Sequence, residues 1–248
     1  MKKNRKKITL ITGAGRGIGR ETAKKFAEKG HDLYLLVHNK LHAEQISKTF
    51  KRKYKIKIKC FVGDLRNKSF ILKLKKQIFR VDNLINNAAI ANTKYFLDVK
   101  QREVDDLMQV NLKSIFNLSQ IFAKKMKSQK TQGTIINVTS QLGHVGAYNR
   151  SIFCMTKFGL EGLTKAMAMD LGKYGIRVNT VSPTKTIVNQ EERTKTRARL
   201  NLIRSKIPLR RFSTVKQIAE IIYFLTTDAA MTITGTSIIS DGGWTAGK

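Results

Sequence analysis

A glycine-rich turn, placed directly after a short apolar run, constrains the fold of this chain more than any other feature of its sequence. The apolar run covers residues 8–11, and an amphipathic pattern begins at residue 18. The turn reads Thr12-Gly13-Ala14-Gly15-Arg16-Gly17-Ile18-Gly19. Glycines let the backbone approach a pyrophosphate, and the free N–H groups at the start of the next helix then face its phosphates. We therefore predict a dinucleotide site at residues 12–19; a tight turn without a ligand is the alternative.

Strand-like and amphipathic helical segments alternate along the whole chain, which is typical of a parallel sheet covered by helices on both faces. The predicted strands cover residues 7–12, 32–37, 55–62, 83–86, 133–138, 177–181 and 237–240. The predicted helices cover residues 18–29, 41–52, 68–79, 100–127, 152–173 and 215–226. This order predicts an α/β fold with a Rossmann-like, doubly wound parallel sheet of about seven strands.

The third predicted strand has one polar face, because lysines at positions 55, 57 and 59 alternate with apolar residues. Buried parallel strands are apolar on both faces, so this strand is expected at the edge of the sheet. That position agrees with a doubly wound order in which the third strand is outermost. Residues 185–206 are highly charged and lack strand signal, and we interpret them as a mobile insertion at the mouth of the ligand site.

The composition favours a single domain, residues 1–248, in the reducing cytoplasm. With 248 residues and 41% hydrophobic content, the chain can form one large core. No stretch approaches the roughly 18 apolar residues of a membrane span, and the apolar run after the basic start is too short for an export signal. The two cysteines, Cys60 and Cys154, lack the number and spacing of a disulfide framework or a zinc site. Neither a metal nor a membrane partner is expected.

The formal charge of +31 has two interpretations. A basic patch interleaved with aromatic residues would indicate a nucleic-acid surface. Here the basic residues recur along the whole chain, and only Tyr54 and Phe212 lie within the basic runs. We therefore favour a lysine-rich solvated surface with no specific nucleic-acid partner. A polyanion-binding protein, marked by strongly salt-dependent affinity, is the alternative.

The spacing of the glycines at positions 13, 17 and 19 resembles the TGxxxGxG turn of the short-chain dehydrogenase/reductase family. Other motifs of that family are matched in order along the chain. They are Asn86-Asn87-Ala88-Ala89, Asn111, Asn137-Val138-Thr139-Ser140, Lys157 of YxxxK, Ser182-Pro183-Thr184, Ile233-Thr234-Gly235 and Asp241-Gly242-Gly243. The resemblance covers essentially the full chain and implies a nicotinamide dinucleotide as cofactor.

The resemblance also assigns roles to individual residues. In the family, a Ser and a Tyr hold the substrate oxygen, the Tyr passes the proton, a Lys grips the nicotinamide ribose, and an Asn supports a water relay. The implied catalytic positions are Asn111, Ser140, Phe153 and Lys157. The implied cofactor-binding residues are Thr12, Gly13, Gly15, Arg16, Gly17, Ile18, Gly19, His38, Asp64, Leu65, Asn87, Ala88, Lys157 and Pro183.

The position where the family has its Tyr is occupied by Phe153, four residues before Lys157. A phenyl ring fills the volume but cannot donate a proton, so general acid catalysis worth about 10²- to 10⁴-fold is at risk. Water, Ser140, Tyr148 and His144 are the candidates for an alternative proton donor. For Tyr148 and His144, a loop residue with no chemical role is the alternative interpretation. Three explanations are open: altered natural chemistry, a relative that binds cofactor without activity, and a deliberate Tyr-to-Phe substitution.

The stretch after the second predicted strand indicates which dinucleotide is used. Family members that prefer NAD place a carboxylate there, which bonds the ribose hydroxyls and repels a 2′-phosphate. Residues 36–40 contain no acid, and Arg16, with His38 or Lys40, is suited to a phosphate. We therefore expect NADP(H) to be favoured over NAD(H). An ordinary polar loop is the alternative interpretation of His38 and Lys40.

Substrate and assembly follow from the loop after Ser140 and from two long helices. Ser140, Leu142, His144 and Arg150 are expected at the substrate, and their chemistry favours a small polar or acidic carbonyl or alcohol. By resemblance, helices 100–127 and 152–173 build a homotetramer or homodimer. The predicted function is an NADP-dependent oxidoreductase that interconverts a carbonyl and a secondary alcohol, weakened by Phe153. A catalytically impaired dinucleotide-binding protein, a sensor or regulator, is the alternative.

Overall fold

The computed structural model of the chain describes residues 5–184, 186 and 197–247, and in this part the strands form one seven-stranded parallel sheet. The strands are β1 (Ile8–Thr12), β2 (Asp32–Val37), β3 (Ile58–Val62), β4 (Asn83–Asn86), β5 (Thr134–Val138), β6 (Arg177–Pro183) and β7 (Ser237–Ser240). Their order is β3-β2-β1-β4-β5-β6-β7, and every neighbouring pair is parallel. The predicted doubly wound sheet with the third strand at its edge is confirmed.

Helices connect the strands and cover both faces of the sheet. They are α1 (Gly17–Glu28), α2 (Lys40–Lys53), α3 (Lys68–Gln77), α4 (Gln101–Met108), α5 (Ser114–Gln129), α6 (Ser151–Gly172), α7 (Arg197–Ser205) and α8 (Val215–Phe224). The single helix predicted over residues 100–127 is interrupted by a π-helical segment, Gln109–Lys113, between α4 and α5. The sequence pattern did not indicate α7.

The core consists of two apolar layers, one on each face of the sheet. Phe26 of α1, Ile46 of α2 and Ile222 of α8 belong to one layer. Leu74 of α3 and Phe122 of α5 belong to the other. Because successive side chains of a strand point to opposite faces, each strand of the sheet interior contributes to both layers. The loops at the carboxyl ends of the strands are therefore held by a rigid scaffold.

The edge strand β3 begins later than predicted, at Ile58 instead of residue 55. The preceding backbone is used differently: the Lys57 N–H donates to the Asp32 carboxylate at 2.8 Å, and the Ile56 N–H donates to the Tyr54 carbonyl. Lys59 is exposed, whereas Ile58 and Cys60 are half-buried. The polar face is therefore where the alternation placed it, and only the start of the strand was wrong.

Over the described ranges, none of the helices combines the length and apolar character that crossing a bilayer requires.

Candidate active site

The glycine-rich turn leaves the carboxyl end of β1 in a conformation that only small residues allow. Gly13 and Gly17 have φ of +66° and +56°, in the left-handed region that favours glycine. A Cβ on Gly19 would lie 2.3 Å from the Gly13 carbonyl oxygen and 2.5 Å from Asn87 Nδ2. A Cβ on Gly13 would lie 2.9 Å from the Ala88 Cα. The turn therefore packs directly on the segment that follows β4.

A hydrogen-bonded clamp joins this turn to the end of β4. The Thr12 hydroxyl accepts from the backbone N–H groups of Asn87 and Ala88, both at 2.9 Å. Asn87 Nδ2 donates in return to the carbonyls of Thr12 at 3.0 Å and Gly13 at 3.2 Å. Four predicted cofactor residues thus come together at one place, next to the start of α1.

The start of α1 can hold a phosphate group. Its N-cap, Arg16, makes no side-chain cap, and the first turn contains no acidic residue. The backbone N–H groups of Gly17, Ile18 and Gly19 at the start of the helix have no intrahelical acceptor, and the helix dipole is positive at this end. Arg16 is exposed beside them. The residues present fit the pyrophosphate of a dinucleotide.

His42 also lies beside the glycine-rich turn, although the sequence pattern did not indicate it. A Cβ on Gly15 would lie 3.0 Å from Val37 Cγ1 and 3.2 Å from His42 Nδ1, so the imidazole of His42 packs against the turn. His38 and Lys40, both exposed, precede it in the chain. Nothing in the pattern of α2 distinguishes His42, because only its contact with Gly15 shows that it is near the site.

Asp64, one of the expected cofactor-binding residues, follows β3 and is held by a neighbouring arginine. The Arg66 guanidinium donates to both carboxylate oxygens of Asp64, with a shortest distance of 2.7 Å, and its other arm reaches Asp106 at 3.0 Å. These hydrogen bonds lower the pKa of Asp64, and the nearby charge of His38 acts in the same direction. Leu65, next in the chain, is buried.

Lys157 lies at the centre of the second group of predicted residues. It is fully buried on α6, and Nζ donates to the carbonyl of Val138, the last residue of β5, at 3.0 Å. Burial lowers its pKa to about 8, although the charge of Glu161 opposes the shift. Nζ also lies 5.5 Å from the centroid of the Phe153 ring. The position four residues before Lys157 thus presents an aromatic ring to the ammonium.

Ser140 follows two residues after Val138 and caps the 3-10 turn Gln141–Gly143. Its Oγ accepts from the backbone N–H of Leu142 at 3.1 Å. Because the oxygen accepts in this bond, the hydroxyl hydrogen can be donated to another group. Ser140 is half-buried at the carboxyl end of the sheet, where ligands of open α/β sheets bind.

Asn111 lies in the π-helical segment and is completely buried. Its side chain exchanges two hydrogen bonds with the backbone of Ile90, each at 2.9 Å, and donates to the Thr156 hydroxyl at 3.2 Å. Thr156 is the neighbour of Lys157. Asn111 therefore connects the loop after β4 to the part of α6 that carries Lys157.

The remaining loop residues are engaged with the protein itself. His144 Nε2 lies 3.1 Å from Ser182 Oγ and 3.2 Å from Glu161 Oε1. Arg150 donates to the backbone carbonyl of Asn92 in the loop after β4. Tyr148, named as a substitute acid, is 99% exposed. The structure thus ties His144 and Arg150 to neighbouring elements, and leaves Tyr148 on the surface.

Half of the predicted substrate-side insertion over residues 185–206 lies outside the described residues. Pro183 ends β6, the Thr184 N–H donates to the Ser240 carbonyl at 3.1 Å, and the Thr186 hydroxyl donates to the Thr184 carbonyl at 3.2 Å. Residue 185 and residues 187–196 are not described, and α7 begins at Arg197.

Comparison with known proteins gives consistent matches over nearly the whole chain. A family model described as enoyl-(acyl carrier protein) reductase matches residues 13–245. The chain is 33% identical over 242 residues to L-xylulose reductase of Bos taurus, covering 96% of each protein. It is 35% identical over 242 residues to a 3-oxoacyl-[acyl-carrier-protein] reductase of Staphylococcus epidermidis, covering 96% of this chain and 98% of that protein.

Solved structures match the whole fold. A 4-hydroxyisoleucine dehydrogenase complexed with NADH has a TM-score of 0.90 and 33% identity, covering 98% of this chain and 100% of that one. A gluconate 5-dehydrogenase from Burkholderia cenocepacia in complex with NADP and tartrate has a TM-score of 0.86 and 26% identity, covering 97% and 95%. The two similar enzymes were thus solved with different nicotinamide dinucleotides.

Proposed function

Because the chain belongs to the short-chain dehydrogenase/reductase family of oxidoreductases, we propose that it is an NADP-linked enzyme that interconverts a carbonyl and a secondary alcohol. The observation that supports this most is the position of Lys157. Its buried ammonium donates to the carbonyl of Val138, the last residue of β5, and Ser140 follows two residues later. The glycine-rich turn follows β1 and so lies at the same carboxyl end of the parallel strands. NADPH oxidation with a panel of polar and acidic carbonyl compounds tests the proposal, and tight NADPH binding without turnover favours a sensor instead.

In this proposal, some residues of the site bind the cofactor and others bind the substrate. A bound nicotinamide dinucleotide supplies the hydride. The turn at residues 12–19 holds its pyrophosphate, and the Lys157 ammonium holds the ribose beside the nicotinamide. The Ser140 hydroxyl donates to the substrate oxygen, and Asn111 keeps the Lys157 region of α6 in place. Phe153 contributes no hydroxyl, so proton delivery limits the rate.

The choice of NADP rests on the surroundings of the turn. The stretch after β2 has no carboxylate, so a 2′-phosphate meets no like charge there. Arg16 and His38 are exposed at the turn, and His42 packs against Gly15. Cationic groups form charge-assisted hydrogen bonds to phosphate that are stronger than neutral ones. We include His42 in the proposed 2′-phosphate site.

Arg16→Gln is expected to weaken NADPH binding by about 10- to 100-fold, because hydrogen bonds to charged groups contribute about 1.5–3 kcal/mol. NADH binding should change by less than about threefold, since NADH has no 2′-phosphate. Arg20→Gln removes the same charge from an exposed position one turn further along α1 and serves as the matched control. Both affinities are measured by titration at constant salt. An equal loss for both cofactors contradicts the assignment of Arg16.

For the substrate, we propose a small polar or acidic carbonyl compound or alcohol. Ser140 and Leu142 border its position on the 3-10 turn after β5. His144 and Arg150 shape the surrounding wall through their bonds to Ser182 and to the Asn92 carbonyl. The gluconate 5-dehydrogenase of similar fold was solved with tartrate, a polar hydroxy acid, which supports this substrate class.

For assembly, we propose a homodimer through the outer face of α5 and α6, within a homotetramer. A groove of about 380 Å³ lies on this face, and Leu112, Phe116, Gly159 and Leu163 are among its lining residues. Phe116 is 48% exposed. Apolar surface of this kind marks an interaction site.

Phe116→Glu is expected to reduce the solution mass of the protein by at least half, because the new carboxylate would lose its water when the groove is covered by a second copy. Light scattering coupled to gel filtration measures the mass. Phe79→Glu introduces the same charge at a 74% exposed position beyond α3 and should leave the mass unchanged. A wild-type chain that is already monomeric refutes the proposed assembly.

We also place the protein in the reducing cytoplasm. Cys60 and Cys154, the two cysteines of the chain, are both free thiols. Free thiols are retained where disulfides do not persist.

A further inference from the structure

A buried carboxylate lies one helical turn beyond Lys157 and has no role in the function proposed above. Glu161 is only 8% exposed. Its Oε1 accepts from the Thr139 hydroxyl at 2.6 Å and the Ser182 hydroxyl at 2.9 Å, and its Oε2 accepts from the Thr180 hydroxyl at 2.8 Å. One side chain of α6 thus binds the end of β5 and two residues of β6.

The same carboxylate holds the loop that follows Ser140. His144 Nε2 lies 3.2 Å from Glu161 Oε1. A Cβ on Gly143 would lie 3.1 Å from the Lys157 carbonyl oxygen and 3.3 Å from Glu161 Cγ, so the 3-10 turn packs closely on this part of α6. Ser140 and Lys157 are therefore fixed relative to each other through Glu161 and its partners.

The charge of Glu161 has a neighbour of opposite sign on the same helix face, because Lys157 lies four residues earlier on α6. Thr139, Thr180 and Ser182 satisfy both carboxylate oxygens, and a buried charge is less costly when an opposite charge compensates it. Two other polar side chains lie on the elements packed against this part of α6. Asn111 is neutral and donates to the Thr156 hydroxyl, and His144 Nε2 lies 3.2 Å from Glu161 Oε1. The charge that raises the pKa of Lys157, against the effect of burial, is that of Glu161.

We propose that Glu161 is a positioning residue of the active site, which ties the Lys157 turn of α6 to β5 and β6 and supplies the negative charge that the buried ammonium requires. The inference rests on the proposed function in one respect, namely that Lys157 binds the dinucleotide. It is independent of turnover, and therefore of the role of Phe153.

The test is the pH dependence of NADPH affinity, measured by titration in the parent and in Glu161→Gln. Lys157 is charged below its folded pKa of about 8, so affinity falls as the pH rises through that value. In Glu161→Gln the fall should begin about one pH unit lower, because an opposite charge nearby stabilises the protonated form of a lysine. Glu161→Asp keeps the charge and should restore most of the parent profile.

Glu220→Gln is the matched control, because it removes a carboxylate that pairs with Lys25 on a different face of the protein. Its profile should coincide with that of the parent. If Glu161→Gln lowers affinity equally at every pH, Glu161 is merely structural and the proposal is overturned. The same holds if Glu161→Asp follows the profile of Glu161→Gln.

A second measurement requires no cofactor and separates the two proposals. The folded pKa of Lys157 lies below its ordinary value of 10.5, so the unfolded chain binds more protons between about pH 8 and pH 10.5, and stability rises with pH in that window. Lys157→Met lacks this contribution. The unfolding free energy of the parent should therefore rise relative to that of Lys157→Met as the pH increases through that window. When both proteins also carry Glu161→Gln, the rise should begin about one pH unit lower.

If neither NADPH nor NADH binds the parent, the proposed function fails and this second measurement alone decides the role of Glu161. If Glu161→Gln does not fold, the double variant with Lys157→Met decides. Removing both charges should restore folding, because the uncompensated ammonium is then gone. A double variant that still fails to fold overturns the proposal.

Discussion

Phe153→Tyr is expected to raise the turnover of a carbonyl substrate with NADPH by at least tenfold. The new hydroxyl would extend from a ring whose centroid lies 5.5 Å from Lys157 Nζ. A positive charge at that distance favours the ionised form of a phenol and makes it a better proton donor at neutral pH. General acid catalysis contributes about 10²- to 10⁴-fold, which corresponds to about 3–5 kcal/mol of the barrier.

The parent retains a basis for residual activity, because alignment of hydride donor and acceptor contributes about 7–11 kcal/mol and does not need the hydroxyl. The comparison therefore uses initial rates of both proteins across the same carbonyl panel, with NADPH affinity measured in parallel. Affinity should stay within about twofold. Phe79→Tyr adds a hydroxyl at an exposed position beyond α3 and should leave the rate unchanged. Equal rates for parent and Phe153→Tyr mean that this site uses other chemistry or none.

Gly19→Ala is expected to weaken NADPH binding by about 10- to 100-fold. The added Cβ would lie 2.3 Å from the Gly13 carbonyl oxygen, a backbone atom, and 2.5 Å from Asn87 Nδ2. Neither can move away without opening the turn and breaking the bond from Asn87 to the Gly13 carbonyl. Overpacking of this kind costs about 1–3 kcal/mol, and every tenfold loss of affinity corresponds to about 1.4 kcal/mol. The phosphate-facing N–H groups are displaced as well.

Gly172→Ala makes the same chemical change at the end of α6, where an added Cβ would meet nothing within 4 Å outside its own helix. The NADPH affinity of this control variant should equal that of the parent. Circular dichroism and the unfolding midpoint show whether Gly19→Ala remains folded at the temperature of the titration. If the Gly19→Ala protein is folded and its NADPH affinity is within threefold of that of the parent, the proposal that the turn binds the cofactor is contradicted.

Most of the fold was predictable from the sequence because it depends on local pattern. The alternation of strands and helices gave seven parallel strands with the third at the edge, and the structure confirms this. The errors lie where contacts override pattern. The helix predicted over residues 100–127 is interrupted at the π-helical segment, where Asn111 bonds to the backbone of Ile90. Periodicity alone carries no information about that contact.

The candidate site divides in the same way. The sequence by itself predicted the glycine-rich turn, Ser140, Phe153 and Lys157, because the family motifs that they resemble depend on residue type and spacing along the chain. Only the tertiary structure placed His42 against Gly15 and His144 on Glu161. Those contacts join residues that are 27 and 17 positions apart in the sequence and lie on different elements. The physical reason is that the direction and partners of a side chain are set by packing between elements, which the local pattern of either element does not contain.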